Sequence, residues 1–168
     1  MQQNNQKPHY FLEPGSIFAC WEPYTLATVL GSCVAVCLCD TISKVAGMNH
    51  IVFPKHFGNQ SLTKCANYSI PQLLKMMTDM GANKKTLEAH IIGGSFSGEY
   101  ASKNIGKKNI EMTKKILAKY NIPIVNDDTG GAFGRKVVFN TNSGEIIVCK
   151  VKSLREQDWY DDKSISNR

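Results

Sequence analysis

The sequence predicts one α/β (α+β) domain, a layered sandwich of mixed β-sheet covered by helices. Three observations predict it. Short apolar and β-branched runs outnumber the helical ones. Two stretches repeat apolar residues at helical spacing. The two kinds do not alternate regularly, which sets the chain apart from a Rossmann-type βαβ succession. A length of 168 residues fits one domain, and a core of that size buries well over half of the unfolded surface. The folded part is placed at residues 10–154. A polar segment, 1–9, is expected to be disordered, and residues 155–168 form a polar tail.

Each element follows from its local pattern. Tyr10-Phe11-Leu12 and Ile17–Cys20 read as short strands flanking a Pro14-Gly15 turn. Tyr24–Leu30 is β-branched and apolar, a strand that Gly31-Ser32 breaks. Cys33–Cys39 is apolar on both faces and therefore a buried strand, and Val45–Phe53 is the next. A helix is expected to start at Ser69 as N-cap with Pro71 in its first turn. Its stripe is Ile70, Leu73, Leu74, Met77 and Met80, and Gly81 stops it. Leu87–Ile92 is a strand running into Gly93-Gly94. Lys107–Tyr120 is a second helix, with Ile110, Ile116, Leu117 and Tyr120 on one stripe. Ile122–Val125 is a short strand, Asn126–Gly134 a glycine-rich loop, and Lys136–Asn140 with Glu145–Val151 a hairpin.

Composition narrows the compartment and the chemistry. The six cysteines form no CxxC pair, and Met1–Pro8 is polar with no signal-like apolar stretch after it. A reduced, cytoplasmic protein is expected. The longest apolar run, Thr25 to Cys39, is broken by Gly31-Ser32 and too short to span a bilayer, so no membrane insertion is expected. Net charge is +6. Lysines concentrate between Lys103 and Lys119, as a solvated helix face or a docking surface for an acidic partner. No Arg-rich run or aromatic-interleaved basic strand favours nucleic acid. The glycine clusters match neither GxxxxGK[ST] nor GxGxxG, and no cofactor is expected. Asp127, Asp128 and Arg135 form a local salt bridge or shape a cleft rim.

The chemistry centres on Cys33. Directly after a Gly-Ser break, its sulfur can face a cleft and its own N–H is free to hold an oxyanion. A buried structural cysteine is the plainer alternative. If the chain folds back symmetrically about Thr41-Ile42, Asp40 faces Ser43, Leu38 faces Val45 and Cys33 faces His50. Directly opposite residues share a face, with Cβ atoms about 4.5–5.5 Å apart. An imidazole there takes the thiol proton, giving a thiolate–imidazolium pair, and returns it to a leaving amine. His9 near the chain end, His56 in a loop and His90 on a core strand are weaker candidates. Thr25 and Thr28, on the strand before the break, each offer a hydroxyl to the second imidazole nitrogen; both are also ordinary strand residues. Cys37 and Cys39 point the same way as Cys33, but with His50 they match no common zinc spacing.

Several ordered motifs together resemble a known family. The run Thr28-Val29-Leu30-Gly31-Ser32-Cys33-Val34-Ala35-Val36-Cys37-Leu38, followed by Gly47-Met48-Asn49-His50, is similar to the chemoreceptor glutamine deamidase family, CheD. Ile92-Gly93-Gly94 resembles its strand-end glycines, and Asn104-Ile105-Gly106-Lys107-Lys108-Asn109 its IGxxN segment. Asp128-Thr129-Gly130-Gly131 with Gly134-Arg135 resembles its DxGGxxGR loop, and Pro14-Gly15 also fits. The resemblance runs from about residue 10 to residue 152. It implies a cysteine hydrolase with Cys33 as nucleophile, His50 as base and a threonine as third member. That threonine lies six or five residues before the cysteine, which here means Ala27 or Thr28, so Thr28 is expected, with Thr25 the alternative. Gly31, Ser32 and Asn49 are expected around the oxyanion and cleft. The implied fold is a layered α/β sandwich related to toxins that deamidate glutamine in small GTPases. The implied substrates are glutamines of methyl-accepting chemotaxis proteins, on acidic regions that the lysine-rich helix would attract. Some members also act on methyl esters there, and some bind the CheC phosphatase. The other readings are a receptor- or CheC-docking module with little catalysis, and a thiol deamidase or methylesterase of another protein.

Overall fold

The computed structural model describes residues 8–96 and 104–159. Residues 1–7 and 160–168, in the expected terminal segments, lie outside the described residues. Nine strands and two long helices are present among those described: β1 His9–Phe11, β2 Ile17–Cys20, β3 Thr25–Leu30, β4 Val34–Asp40, β5 Ala46–Asn49, α1 Ala66–Asp79, β6 Leu87–Gly93, α2 Ile105–Lys119, β7 Ile124–Thr129, β8 Gly134–Asn140 and β9 Ile146–Val151. They form a four-stranded sheet, β1-β3-β8-β9, and a five-stranded sheet, β2-β5-β4-β6-β7. Both are mixed: β1/β3 and β6/β7 are parallel, the other pairs antiparallel. The expected α+β sandwich is the fold found.

Strand alternation builds the layers. On β4, Val34, Val36 and Leu38 join Ile70, Leu73 and Met77 of α1 and Leu117 of α2 in one core. Ala35 and Cys37 face the other way, against Leu26, Leu30, Val137 and Phe139 of the four-stranded sheet. This is why Cys33–Cys39 reads as apolar on both faces. Lys107, Lys108, Lys114, Lys115 and Lys119 all lie on the exposed face of α2.

Four details differ from the sequence reading. Helix α1 begins at Ala66, with Cys65 as N-cap; Ser69 is a buried residue within it and Pro71 lies inside it. The turn Leu62–Lys64 delivers the chain to the helix early. Strand β5 stops at Asn49, with only isolated bridges at Ile51 and Phe53. Strand β7 runs to Thr129 through residues expected to be loop. Pairing with β6 overrides the weak strand propensity of Asn126, Asp127 and Asp128 at this sheet edge.

The fourth difference concerns the β4–β5 register. Asp40 N–H donates to Val45 O at 2.9 Å, Leu38 pairs with Gly47 and Cys37 with Met48, and Val34 bridges Ile51. The loop holds Thr41 to Lys44 because the Asp40 carboxylate organises it. That carboxylate accepts from Ile42 N–H at 2.9 Å, Ser43 Oγ at 2.8 Å, Asn83 N–H at 2.7 Å and Thr86 Oγ1 at 2.7 Å. Burial opposes its charge, but these donors together hold the carboxyl well below the usual carboxylate range. Lys44 then turns back with φ 64°. The pairing is offset by two positions from the expected one, so Cys33 is diagonal to His50 rather than directly opposite. An even offset keeps both on the same face.

Candidate active site

His50 lies just past β5, where the ladder loosens. Asn49 completes it with its side chain: Asn49 Oδ1 accepts the Val36 N–H at 2.9 Å. The His50 backbone is clamped by the turn before β2, donating to Ser16 O at 3.0 Å and accepting from Gly15 N–H at 2.9 Å. Ala46 and Met48 face the four-stranded sheet, and His50, two residues further, turns the same way. There its Nδ1 lies 2.9 Å from Thr28 Oγ1 and 3.3 Å from Leu12 O.

Those contacts assign the tautomer. Thr28 Oγ1 donates its one proton to Leu12 O at 2.7 Å, so toward His50 it can only accept. A carbonyl also only accepts. Nδ1 therefore carries the hydrogen, and Nε2 carries the lone pair. Among the described residues Nε2 has no hydrogen-bond partner, although it is buried. Thr28, not Thr25, is the threonine at the imidazole.

Cys33 enters from the crossing between sheets. The three carbonyls around it are each held: Gly31 O by Ser95 N–H at 2.9 Å, Ser32 O by Asn109 Nδ2 at 3.0 Å, and Cys33 O by Gly94 N–H at 2.7 Å. The Ser32 and Cys33 N–H groups donate to no backbone carbonyl among the described residues. Ser32 is exposed and Gly31 and Cys33 half-buried, so the cysteine sits at a rim rather than in a deep pocket. It packs at the edge of the core between the sheets, with Ala35 and Cys37 on its face.

Burial dominates the electrostatics. It pushes the Cys33 thiol up to about 12, against the Lys64 charge and the residue's own N–H. It pushes His50 down to about 4, against the Leu12 carbonyl and with the Lys64 charge. At rest burial favours a neutral thiol and a neutral imidazole, and no hydrogen bond joins the two among the described residues.

Asn109 is a residue that the sequence reading does not single out for a role. Fully buried on α2, it gives its second Nδ2 hydrogen to Val52 O at 3.0 Å, tying the Cys33 stretch to the segment after His50. Its signal is a polar side chain on an otherwise buried stripe, within the IGxxN segment. The glycines of the same motifs permit close approach. At Gly93 (φ 107°) a Cβ would collide with the Cys33 carbonyl, and at Gly106 it would come within 2.6 Å of the Gly94 and Ser95 carbonyls. The DxGGxxGR loop buttresses this turn: Gly130 N–H donates to Gly93 O at 2.9 Å, and Phe96 N–H to Gly131 O at 2.8 Å. Arg135, paired with Leu30 in register, holds Asp128 at 3.0 Å. Asp127 instead pairs with Lys114 at 2.6 Å.

No three His, Cys, Asp or Glu side chains converge as a metal cage among the described residues. A cleft of about 270 Å³ lies at the far end of β4, lined by Cys39, Asp40, Lys44, His90, Thr141 and Gly144 among others, away from Cys33. No described helix is long and apolar enough to cross a membrane.

Comparison with known proteins gives a consistent picture. The family model described as CheD chemotactic sensory transduction matches residues 54–150. A protein of Anaeromyxobacter dehalogenans, named probable chemoreceptor glutamine deamidase CheD 1, is 37% identical over 140 residues, covering 82% of each chain. A Clostridium novyi protein named probable chemoreceptor glutamine deamidase CheD is 42% identical over 134 residues, 75% of this chain and 83% of that one. A third of that name, from Trichlorobacter lovleyi, is 38% identical over 150 residues, 88% of this chain and 93% of its own. This last match leaves too little of the chain uncovered to miss positions 33 and 50, which the family model does not reach. On these matches, the chain belongs to the CheD family.

Proposed function

We propose that this protein is a cytoplasmic glutamine deamidase of chemoreceptors, with Cys33 as nucleophile, His50 as general base and acid, and Thr28 as the residue that orients His50. The observation that carries the reading is the tautomer: Leu12 and Thr28 place the hydrogen on Nδ1, leaving Nε2 basic on the face that Cys33 shares. The names of the relatives support the substrate class.

The reaction balances without a cofactor. His50 Nε2 takes the thiol proton as Cys33 Sγ bonds to the glutamine side-chain carbonyl carbon. The oxyanion is held by backbone N–H groups at Ser32-Cys33. His50 gives its proton to the departing nitrogen, the C–N bond breaks, and ammonia leaves a thioester. Neutral His50 then takes a proton from water, and the hydroxide attacks the thioester carbon. The C–S bond breaks, the sulfur regains the proton, and glutamate is released. A rim-sited cysteine suits a side chain on the surface of a folded protein, and such a site needs no deep pocket.

The test is incubation of wild-type and Cys33→Ala protein with a chemoreceptor cytoplasmic fragment, reading the glutamine-to-glutamate mass change. Conversion by wild type and none by the variant is expected. Conversion by Cys33→Ala would remove the proposed nucleophile. Wild-type binding without conversion would leave a docking module instead.

A further inference from the structure

Lys64 is held against the site by both its backbone and its side chain. Its carbonyl accepts the N–H of Val52 at 2.9 Å and of Phe53 at 3.0 Å. Val52 continues the bridge of Val34 with Ile51, which places it opposite Cys33. The Lys64 side chain runs over Gly15, where a Cβ would lie 2.7 Å from its Cγ and 3.5 Å from its Cε. Gly15 is also the residue whose N–H holds the His50 carbonyl, at 2.9 Å. Lys64 is half-buried. Among the described residues no carboxylate lies within ion-pair distance of it.

We propose that Lys64 supplies the unneutralised positive charge that biases this site toward anionic reaction states, stabilising the sulfur of Cys33 and the oxyanion formed on attack. The inference rests on the Cys33–His50 reading above. Its charge reaches both members of the pair, lowering the Cys33 and the His50 pKa alike. The two effects serve successive steps. A cation beside the sulfur favours negative charge as the nucleophile forms and attacks. A cation beside the imidazolium makes it a stronger acid, which helps transfer of its proton to the departing nitrogen. His50 Nε2 is buried, so a fixed charge near it is screened less than one in open solvent. The plainer role, an aliphatic stem packed over Gly15, would be kept by any residue of that length.

Two alkylating reagents separate the roles. Iodoacetate is anionic and iodoacetamide neutral, and their rates at the Cys33 peptide of the folded protein are read by mass spectrometry. In Lys64→Met the ratio of iodoacetate to iodoacetamide rate is expected to fall roughly three- to tenfold, because the anionic reagent loses the attraction of the lysine charge at the sulfur while the thiolate fraction, common to both reagents, cancels. Lys64→Arg is expected to restore it. On the chemoreceptor fragment, Lys64→Met should lower kcat with little change in KM. An unchanged ratio in Lys64→Met, or an equal loss in Lys64→Arg, would overturn the proposal. If wild type deamidates no receptor, the functional reading falls, while the alkylation ratio still decides whether Lys64 charges the site.

Discussion

Thr28 and His50 meet across the two sheets at 2.9 Å, with Thr28 the acceptor, because its only proton is committed to Leu12 O at 2.7 Å. The role proposed for the threonine is thus a relay that fixes the imidazole hydrogen on Nδ1. Thr28→Val keeps the shape and removes the acceptor. Leu12 O, at 3.3 Å from Nδ1, retains part of the orienting effect. Loss of about 10–100-fold in kcat is expected, less than for loss of the base itself, with KM nearly unchanged. Thr28→Ser should recover most of it. Equal activity of the Val and wild-type forms on the receptor fragment would show that the relay is idle.

The pH dependence of stability reports the buried imidazole. Its pKa falls from 6.5 in the unfolded chain to about 4 in the folded one. Between those values the unfolded chain binds more protons, so stability rises with pH and is lost as pH falls from about 6.5 toward 4. The full effect is of the order of 3 kcal/mol. His50→Gln removes the group and should flatten that part of the curve. Urea unfolding at several pH values measures it, the difference between the two proteins cancelling His90 and the carboxylates. By the same shift, kcat/KM should stay level down to about pH 5, since the base remains unprotonated.

The fold class and the shared face of Cys33 and His50 are legible in the sequence, because both follow from period-two alternation along β4 and β5. The register is not. It depends on a loop that Asp40 organises in part through Asn83 and Thr86, more than forty residues further on. No local pattern encodes a contact of that separation. The difference is harmless because the offset is even; an odd one would send His50 to the helical side. The full length of β7 is hidden for a related reason, since its pairing with β6 is long-range. The start of α1 is masked because Ser69 and Pro71 imitate a start signal one turn too late.

Asn109 shows how the helix layer reaches the site. Both of its donors are spent on carbonyls flanking the Cys33–Val52 junction, each at 3.0 Å. Asn109→Ala would leave Ser32 O and Val52 O without these donors. A loss of about 2–3 kcal/mol is expected for two such bonds, read from the urea midpoint. If Asn109 also sets the spacing of the pair, kcat should drop below wild type even at temperatures where the variant is fully folded. A variant that loses stability but keeps kcat would restrict Asn109 to the scaffold.

Two glycines of the motifs make an internal control for close approach. Gly93 has φ 107°, and a side chain there would collide with the Cys33 carbonyl and lie 3.2 Å from Leu30 Cβ. Gly131 has φ 70°, and a Cβ there would meet nothing within 4 Å. Gly131→Ala should therefore cost only the backbone strain, about 1–2 kcal/mol. Gly93→Ala carries that strain and must also displace the Cys33 peptide, so it should cost at least twice as much by urea unfolding. It should further lower kcat in whatever fraction folds, because the Gly94 N–H that holds Cys33 O moves with it. Equal stability of the two variants would mean that the turn yields without disturbing Cys33, and the packing of Gly93 on that carbonyl would then have no bearing on the position of the cysteine.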